Sequence, residues 1–126
     1  MTPGTHGSTF GGNPLAMAVG NGVLDIILQN GFLDNVKKIS KYFDQELIGI
    51  KKKYSKIILE VRGRGLLKGL KLSVDNTKFI ETLMKYKMLV VKAEEQVIRL
   101  FPALIVSKKE IDEAISKINE TCKEMS

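Results

Sequence analysis

The first 31 residues of the chain contain a single formally charged residue, Asp25. In a protein of 126 residues in which 27% are Asp, Glu, Lys or Arg, a stretch so poor in charge is not an ordinary solvated surface. It has to be covered, by the rest of the chain or by another surface. A chain of this length holds one modest core and not two. The fold must therefore join a charged, self-sufficient body to a leading segment with almost no polar face.

Within the leading segment, Met1 to Gly12 holds Gly4, Gly7, Gly11 and Gly12 together with Pro3, Ser8 and Thr9, the composition of an irregular loop. A helix is expected to start after Asn13. Asn is a favoured N-cap, and Pro14 falls at the first helical position, where its missing N–H costs nothing. The helix should run to about Gln29, with Asn30-Gly31 as its left-handed stop. Asn21, Asp25 and Gln29 recur every four residues as one narrow polar stripe, and the remainder is apolar or small, as in a helix buried on most sides. The longest apolar run, Leu15 to Leu28, is interrupted by Gly20, Asn21, Gly22 and Asp25 and falls short of the roughly 18 residues a bilayer span needs. No membrane association is expected. The N-terminus has no basic region followed by an apolar core and cleavage site, and the single Cys122 cannot form an internal disulfide. Both observations fit a reducing, cytoplasmic setting.

Beyond residue 31 the hydrophobic period identifies the elements. Phe32, Val36, Ile39, Phe43, Leu47, Ile50 and Tyr54 step by three or four and predict an amphipathic helix over 32–53. Ile57 to Val61 and Leu66 to Leu72 are strand-like, with Arg62-Gly63-Arg64-Gly65 between them as a turn or bulge. Asn76 is expected to cap a short helix from Thr77 to Lys87. Two more strands, Leu89 to Val91 and Val97 to Phe101, flank the polar Glu94-Glu95-Gln96 turn. Ser107-Lys108-Lys109-Glu110 matches a capping box, and the helix after it places Ile111, Ala114, Ile115, Ile118 and Cys122 on one face. Together these predict an α+β domain, a small antiparallel-type sheet of about four strands flanked by helices.

The net charge of +6 raises the question of a nucleic-acid partner. Most lysines, however, sit on the polar faces of expected helices among Asp and Glu. Aromatics are 6% of the chain with no tryptophan, so a stacking platform is missing. Solvated helix faces account for the charge, and no nucleic acid is expected.

Most catalytic constellations are excluded by composition. His6 is the only histidine and Cys122 the only cysteine, so no His- or Cys-rich metal site can form, and a Ser-His-Asp arrangement would depend on His6 in a loop with no visible partner. Gly63-Arg64-Gly65 lacks the third glycine of a dinucleotide fingerprint. The strongest local feature is Gly4-Thr5-His6-Gly7-Ser8-Thr9-Phe10-Gly11-Gly12-Asn13-Pro14-Leu15-Ala16. It sets two hydroxyls and several glycine amides ahead of a helix N-terminus, an arrangement able to hold a phosphate. On chemistry alone the plainer reading, a glycine-rich lead-in to a capped helix, is favoured over it.

This string closely resembles the signature of fold-type I, class III aminotransferases, particularly the acetylornithine and ornithine enzymes. Two further segments match that family in order. Arg62-Gly63-Arg64-Gly65-Leu66-Leu67-Lys68-Gly69-Leu70 resembles the segment entering the small domain's sheet, and Val97-Ile98-Arg99-Leu100-Phe101-Pro102-Ala103-Leu104 resembles its substrate-carboxylate motif, with Ala103 in place of a second proline. The resemblance covers essentially this whole chain and about the last third of the family's length. It implies that residues 1–31 are a cofactor-phosphate loop and interface helix at the end of a large domain, and that 32–126 form the C-terminal small domain. It also implies pyridoxal phosphate as cofactor, with Thr9 as its main phosphate ligand and Ser8 as helper, acting on the neighbouring subunit of a homodimer.

Arg99, for which an arginine in a short strand would otherwise suggest a surface or ion-pair role, becomes the group that binds the substrate α-carboxylate. The implied reaction transfers an amino group between N-acetylornithine and 2-oxoglutarate in arginine biosynthesis. Ornithine, succinylornithine and 4-aminobutyrate are the alternative donors. No catalytic residue is expected here, because the family's Schiff-base lysine lies upstream of the matched region; Lys68 and Lys92 read as strand-edge or surface residues. The chain alone is therefore expected to be inactive. The competing class is a basic binding or dimerisation module without catalysis.

Overall fold

The computed structural model describes residues 2, 4 and 6–126, and separates into two compact units, Met1–Leu33 and Asp34–Ser126, each taken by itself below. Thr5 of the glycine-rich string, and Met1 and Pro3 of the expected loop, lie outside the described residues.

The first unit contains helix α1, Pro14–Ile27, capped as expected: the Asn13 side chain accepts from the Ala16 amide at 2.9 Å. Gly31 takes the left-handed conformation, φ +86°, that ends the turn after it. The expected burial is not met within the chain, since no residue of α1 is buried. Leu15, Val19, Val23, Leu24 and Ile26 are all about half exposed or more. The composition is that of a covered helix, whereas the helix taken by itself shows an apolar surface.

The second unit is built from helix α2, Phe32–Lys53, which begins at the junction of the two units; strands β1, Ile58–Arg64, and β2, Leu67–Leu72; helix α3, Asn76–Lys85; strands β3, Val91–Ala93, and β4, Val97–Leu100; and helix α4, Lys108–Glu124. The sheet order is β1-β2-β4-β3 and every pairing is antiparallel. Its two hairpins are β1–β2 and β3–β4, joined through α3. One face carries Leu70, Leu72, Ile98 and Leu100 into a core completed by Phe43, Leu47 and Ile50 from α2, Phe79 and Leu83 from α3, and Ile111, Ile118 and Cys122 from α4. Each such side chain, fully buried, is worth about 1.5–3 kcal/mol. The α+β expectation is met, and the helices α2, α3 and α4 pack against one face of a four-stranded sheet.

Several local expectations shift. Arg62, Gly63 and Arg64 continue β1, and the turn is only Gly65-Leu66. Gly63 sits at φ +132°, where an added Cβ would lie 2.1 Å from the Leu67 carbonyl oxygen, so the hairpin closes only over a glycine. The bulge falls earlier, between Ile58 and Glu60. The cap of α3 is Asp75, whose carboxylate accepts from the Thr77 and Lys78 amides at 2.9 and 3.0 Å, one residue before the expected Asn76. The amides of Lys78 and, less strongly, Thr77 hold its carboxyl below the ordinary value. The capping box at α4 forms as read: Ser107 N–H donates to the Glu110 carboxylate at 2.8 Å, and the Glu110 amide donates back to Ser107 Oγ at 3.3 Å.

Candidate functional site

The sheet face turned away from the helices holds the first candidate site. Antiparallel register places Arg62 opposite Gly69, Gly69 opposite Arg99, and Arg99 opposite Val91. Directly opposed residues point to the same face, so Arg62 and Arg99 project from one surface on either side of a residue with no side chain. The result is a cleft of about 430 Å³ lined by Arg62, Gly69, Val97, Arg99 and the Glu94-Glu95 turn. Gly69 and Val97 form its floor: a Cβ on Gly69 would touch both Arg62 Cγ and Val97 Cγ1 at 3.4 Å.

Arg99 is exposed, and among the described residues its side chain makes no hydrogen bond or ion pair. An arginine held by two neighbouring strands with its five donors unspent is suited to a planar anion such as a carboxylate. Arg62 has a partner, the Glu95 carboxylate at 3.8 Å, with both side chains substantially exposed. Sequence reasoning placed Arg62 in a strand motif but gave it no site role; only the register shows that it shares a face with Arg99.

The turn beside the cleft is strained. Glu95 and Gln96 occupy left-handed backbone at φ +56° and +60°, and Val97 N–H donates to the Glu94 carbonyl at 3.2 Å. Non-glycine residues adopt this conformation only where the surroundings impose it. Asn76, 3% exposed, braces this turn from the α3 side. Its side-chain amide donates to the Ala93 and Val97 carbonyls at 3.0 and 3.2 Å, and its backbone N–H donates to Gln96 Oε1 at 2.9 Å. What looked in the sequence like a helix cap is a buried clamp on the hairpin that carries Arg99.

The second candidate site lies in the first unit. Residues Ser8 to Asn13 form consecutive turns, closed by Gly11 N–H to the Ser8 carbonyl at 3.4 Å and Asn13 N–H to the Phe10 carbonyl at 3.3 Å. A Cβ on Gly11 would meet Ser8 Cβ and Oγ at 3.0 Å, so glycine there lets the serine side chain lie against the loop. Ser8 and Thr9 are exposed, and among the described residues neither hydroxyl has a hydrogen-bond partner. Two uncommitted hydroxyls on a tight turn fit the donor needs of a phosphate monoester. The Ala16 amide is already taken by the Asn13 side chain and the Met17 amide by the Asn13 carbonyl, so neither is available to a phosphate.

The lysines divide. Lys68 is not at a strand edge or on the surface. It lies in β2, inside the sheet order, 2% exposed, with its ammonium 2.6 Å from the Asp44 carboxylate. The hydrophobic alternation of β2 points position 68 to the core, and a carboxylate on α2 makes the charge tolerable there. Lys92 is on the edge strand β3 as expected, donating to Thr77 Oγ1 at 2.6 Å. Among the described residues no group of His, Cys, Asp and Glu could hold a metal ion. Burial pushes the Cys122 thiol up to about 12, which leaves it unreactive.

The family model for class-III aminotransferases matches residues 1–122. The chain belongs to that family. Class-III aminotransferases use pyridoxal phosphate. The chain is 44% identical over all 126 residues to an acetylornithine aminotransferase of Brucella melitensis, of which it spans 31% of the length. Among solved structures, a lysine aminotransferase from M. tuberculosis superposes with a TM-score of 0.88 at 28% identity, covering 99% of this chain and 29% of that one. An ornithine aminotransferase from Toxoplasma gondii, described with partial occupancy of PLP at its active site, superposes with a TM-score of 0.80 at 31% identity, covering 96% of this chain and 29% of that one. The chain thus spans about a third of the length of the class-III aminotransferases it matches.

Proposed function

We propose that this chain is the C-terminal part of an acetylornithine aminotransferase, which moves an amino group between N-acetylornithine and 2-oxoglutarate in arginine biosynthesis in the cytoplasm. The observation that carries the reading is Arg99, an arginine fixed by strand pairing on the open sheet face with no partner of its own, in a chain 44% identical to an acetylornithine aminotransferase. Both proposed substrates carry an α-carboxylate, so a single guanidinium serves donor and acceptor alike.

Pyridoxal phosphate, when bound, supplies the electron sink and carries the amino group between half-reactions. This chain's residues bind and orient. Arg99 grips the α-carboxylate with two parallel charge-assisted bonds and so sets which substrate atom faces the reacting centre. Thr9, assisted by Ser8, hydrogen-bonds the cofactor phosphate of the neighbouring subunit in a homodimer. Residues 1–31 are the end of the large domain and 32–126 the small domain. The uncovered apolar surface of α1, with Leu15, Val19 and Val23 exposed, supports its place in an interface between subunits and domains. The residues seen here provide no general base, and Lys68, locked to Asp44, is not available as one.

The test is a chimera in which this chain replaces the matching segment of the Brucella melitensis enzyme, compared with the chain alone. The chimera should bind pyridoxal phosphate, seen by its visible absorbance, and turn over N-acetylornithine with 2-oxoglutarate. The chain alone should do neither; turnover by the purified chain would end this division of labour.

A further inference from the structure

No hydrogen bond or ion pair from another described residue fixes the Arg99 side chain, so where it points follows from the backbone of β4. That strand is short, Val97–Leu100, and its outer neighbour β3 is shorter, Val91–Ala93. A pair of this length holds its place poorly by itself, and the turn that closes it decides where β4 begins.

The turn is fastened at Gln96. The Gln96 carbonyl accepts from the Leu72 amide at 2.9 Å, at the end of β2. Its side-chain Oε1 accepts from the Asn76 amide at 2.9 Å, at the start of α3. Asn76 answers with its own side chain, which donates to the Ala93 and Val97 carbonyls on either side of the turn. Gln96 is thus tied to a strand and a helix outside the hairpin, and Arg99 follows it three residues later.

The residue type adds a second observation. Glu95 and Gln96 both take left-handed backbone, at φ +56° and +60°. A two-residue hairpin turn of that form favours Asn-Gly, because glycine occupies left-handed backbone without strain. Glutamine at position 96 bears that strain, and what it supplies that glycine could not is the side-chain tie to α3.

We propose that Gln96 is a positioning residue for Arg99: by tying the turn to α3 and β2 it fixes where β4 presents the guanidinium. This rests on Arg99 holding the substrate carboxylate, as under the proposed function. A binding group placed in advance spares the substrate the cost of ordering it.

Gln96→Gly and Gln96→Glu in the cofactor-loaded chimera separate positioning from folding. Glycine suits the backbone but drops the tie, whereas glutamate keeps an acceptor for the Asn76 amide. Gln96→Gly should melt close to the parent and raise KM for both N-acetylornithine and 2-oxoglutarate about fivefold, the worth of one neutral hydrogen bond. Its kcat should change less than about twofold, as when binding is lost equally from ground and transition states. Gln96→Glu should keep the parent's KM. In the nitrogen-15-labelled 126-residue chain, Gln96→Gly should speed hydrogen exchange at the Ile98 and Arg99 amides about fivefold, with the Glu60 to Arg62 amides of β1 unchanged. A KM unmoved by Gln96→Gly, or raised equally by Gln96→Glu, overturns the proposal. If KM is indifferent to Arg99→Gln as well, the carboxylate reading of Arg99 falls with it. If Arg99→Gln raises KM and Gln96→Gly does not, only the role of Gln96 falls.

Discussion

Arg99 stands directly opposite Gly69 on the neighbouring strand, so on its β2 side the guanidinium has no cross-strand side chain beside it and opens onto free space. Filling that space should act on binding rather than folding. Gly69→Val places methyl groups against Arg62 Cγ and Val97 Cγ1, each only 3.4 Å from where the new Cβ would lie, while suiting the extended backbone. The variant should unfold at a temperature close to the parent's and lose the carboxylate-induced shift of the Arg99 Nε–H signal. Retained binding would mean that the cleft above Gly69 is not where the carboxylate sits.

Lys68 and Asp44 form the one ion pair among the described residues with a nearly inaccessible member, 2% against 42% exposed. Asp44→Ala leaves the ammonium without its counter-charge and should cost about 1–3 kcal/mol, less than a fully buried pair because Asp44 is half in water. Lys68→Met removes the charge along with the need for it and should cost less. Urea unfolding of the two variants checks the order, and the reverse ranking would refute the assignment of Lys68 as a structural, paired lysine.

Asn76→Ala should destabilise by about 2–3 kcal/mol, since it strands the carbonyls of Ala93 and Val97 beside a core and each buried unmet acceptor costs about 1–3 kcal/mol. Exchange of the amide hydrogens of the β3–β4 hairpin should quicken more than that of β1. Equal effects on both hairpins would show that Asn76 is not a local clamp.

The elements were readable because their signals are local. A capping box needs only Ser107 and Glu110, and the 32–53 helix only its own period. The functional face was not readable, because that Arg62 and Arg99 share a surface depends on a register across three strands separated by α3. Position 76 misled for a related reason: Asp75 and Asn76 are both good caps, and only the β-hairpin packed beside them decides which side chain turns inward. The burial of Lys68 was hidden because its counter-charge comes from α2, 24 residues earlier in the sequence.

Acid should weaken the fold through its capping and paired carboxylates. The amides of Lys78 and Thr77 depress the Asp75 carboxyl, and the Tyr42 hydroxyl and then the Lys108 ammonium depress that of Asp112. A carboxyl depressed in the folded state contributes stability above its unfolded value, lost as pH falls through the folded one. Stability should therefore hold from neutral pH down to about 4, the ordinary carboxylate range, and fall below it. Asp75→Asn keeps a capping side chain and removes one titration, so its melting temperature should fall less steeply with acid. Superimposable acid curves for parent and variant would exclude Asp75 as a contributor.

The most direct test of the central claim is kcat/KM of the cofactor-loaded chimera before and after Arg99→Gln, with both N-acetylornithine and 2-oxoglutarate. Loss of a guanidinium–carboxylate pair should lower it about 10²-fold for each substrate, while pyridoxal phosphate absorbance is retained. A loaded chimera that turns over both substrates undiminished without Arg99 would contradict the assignment of this sheet face as the site that holds the substrate carboxylate.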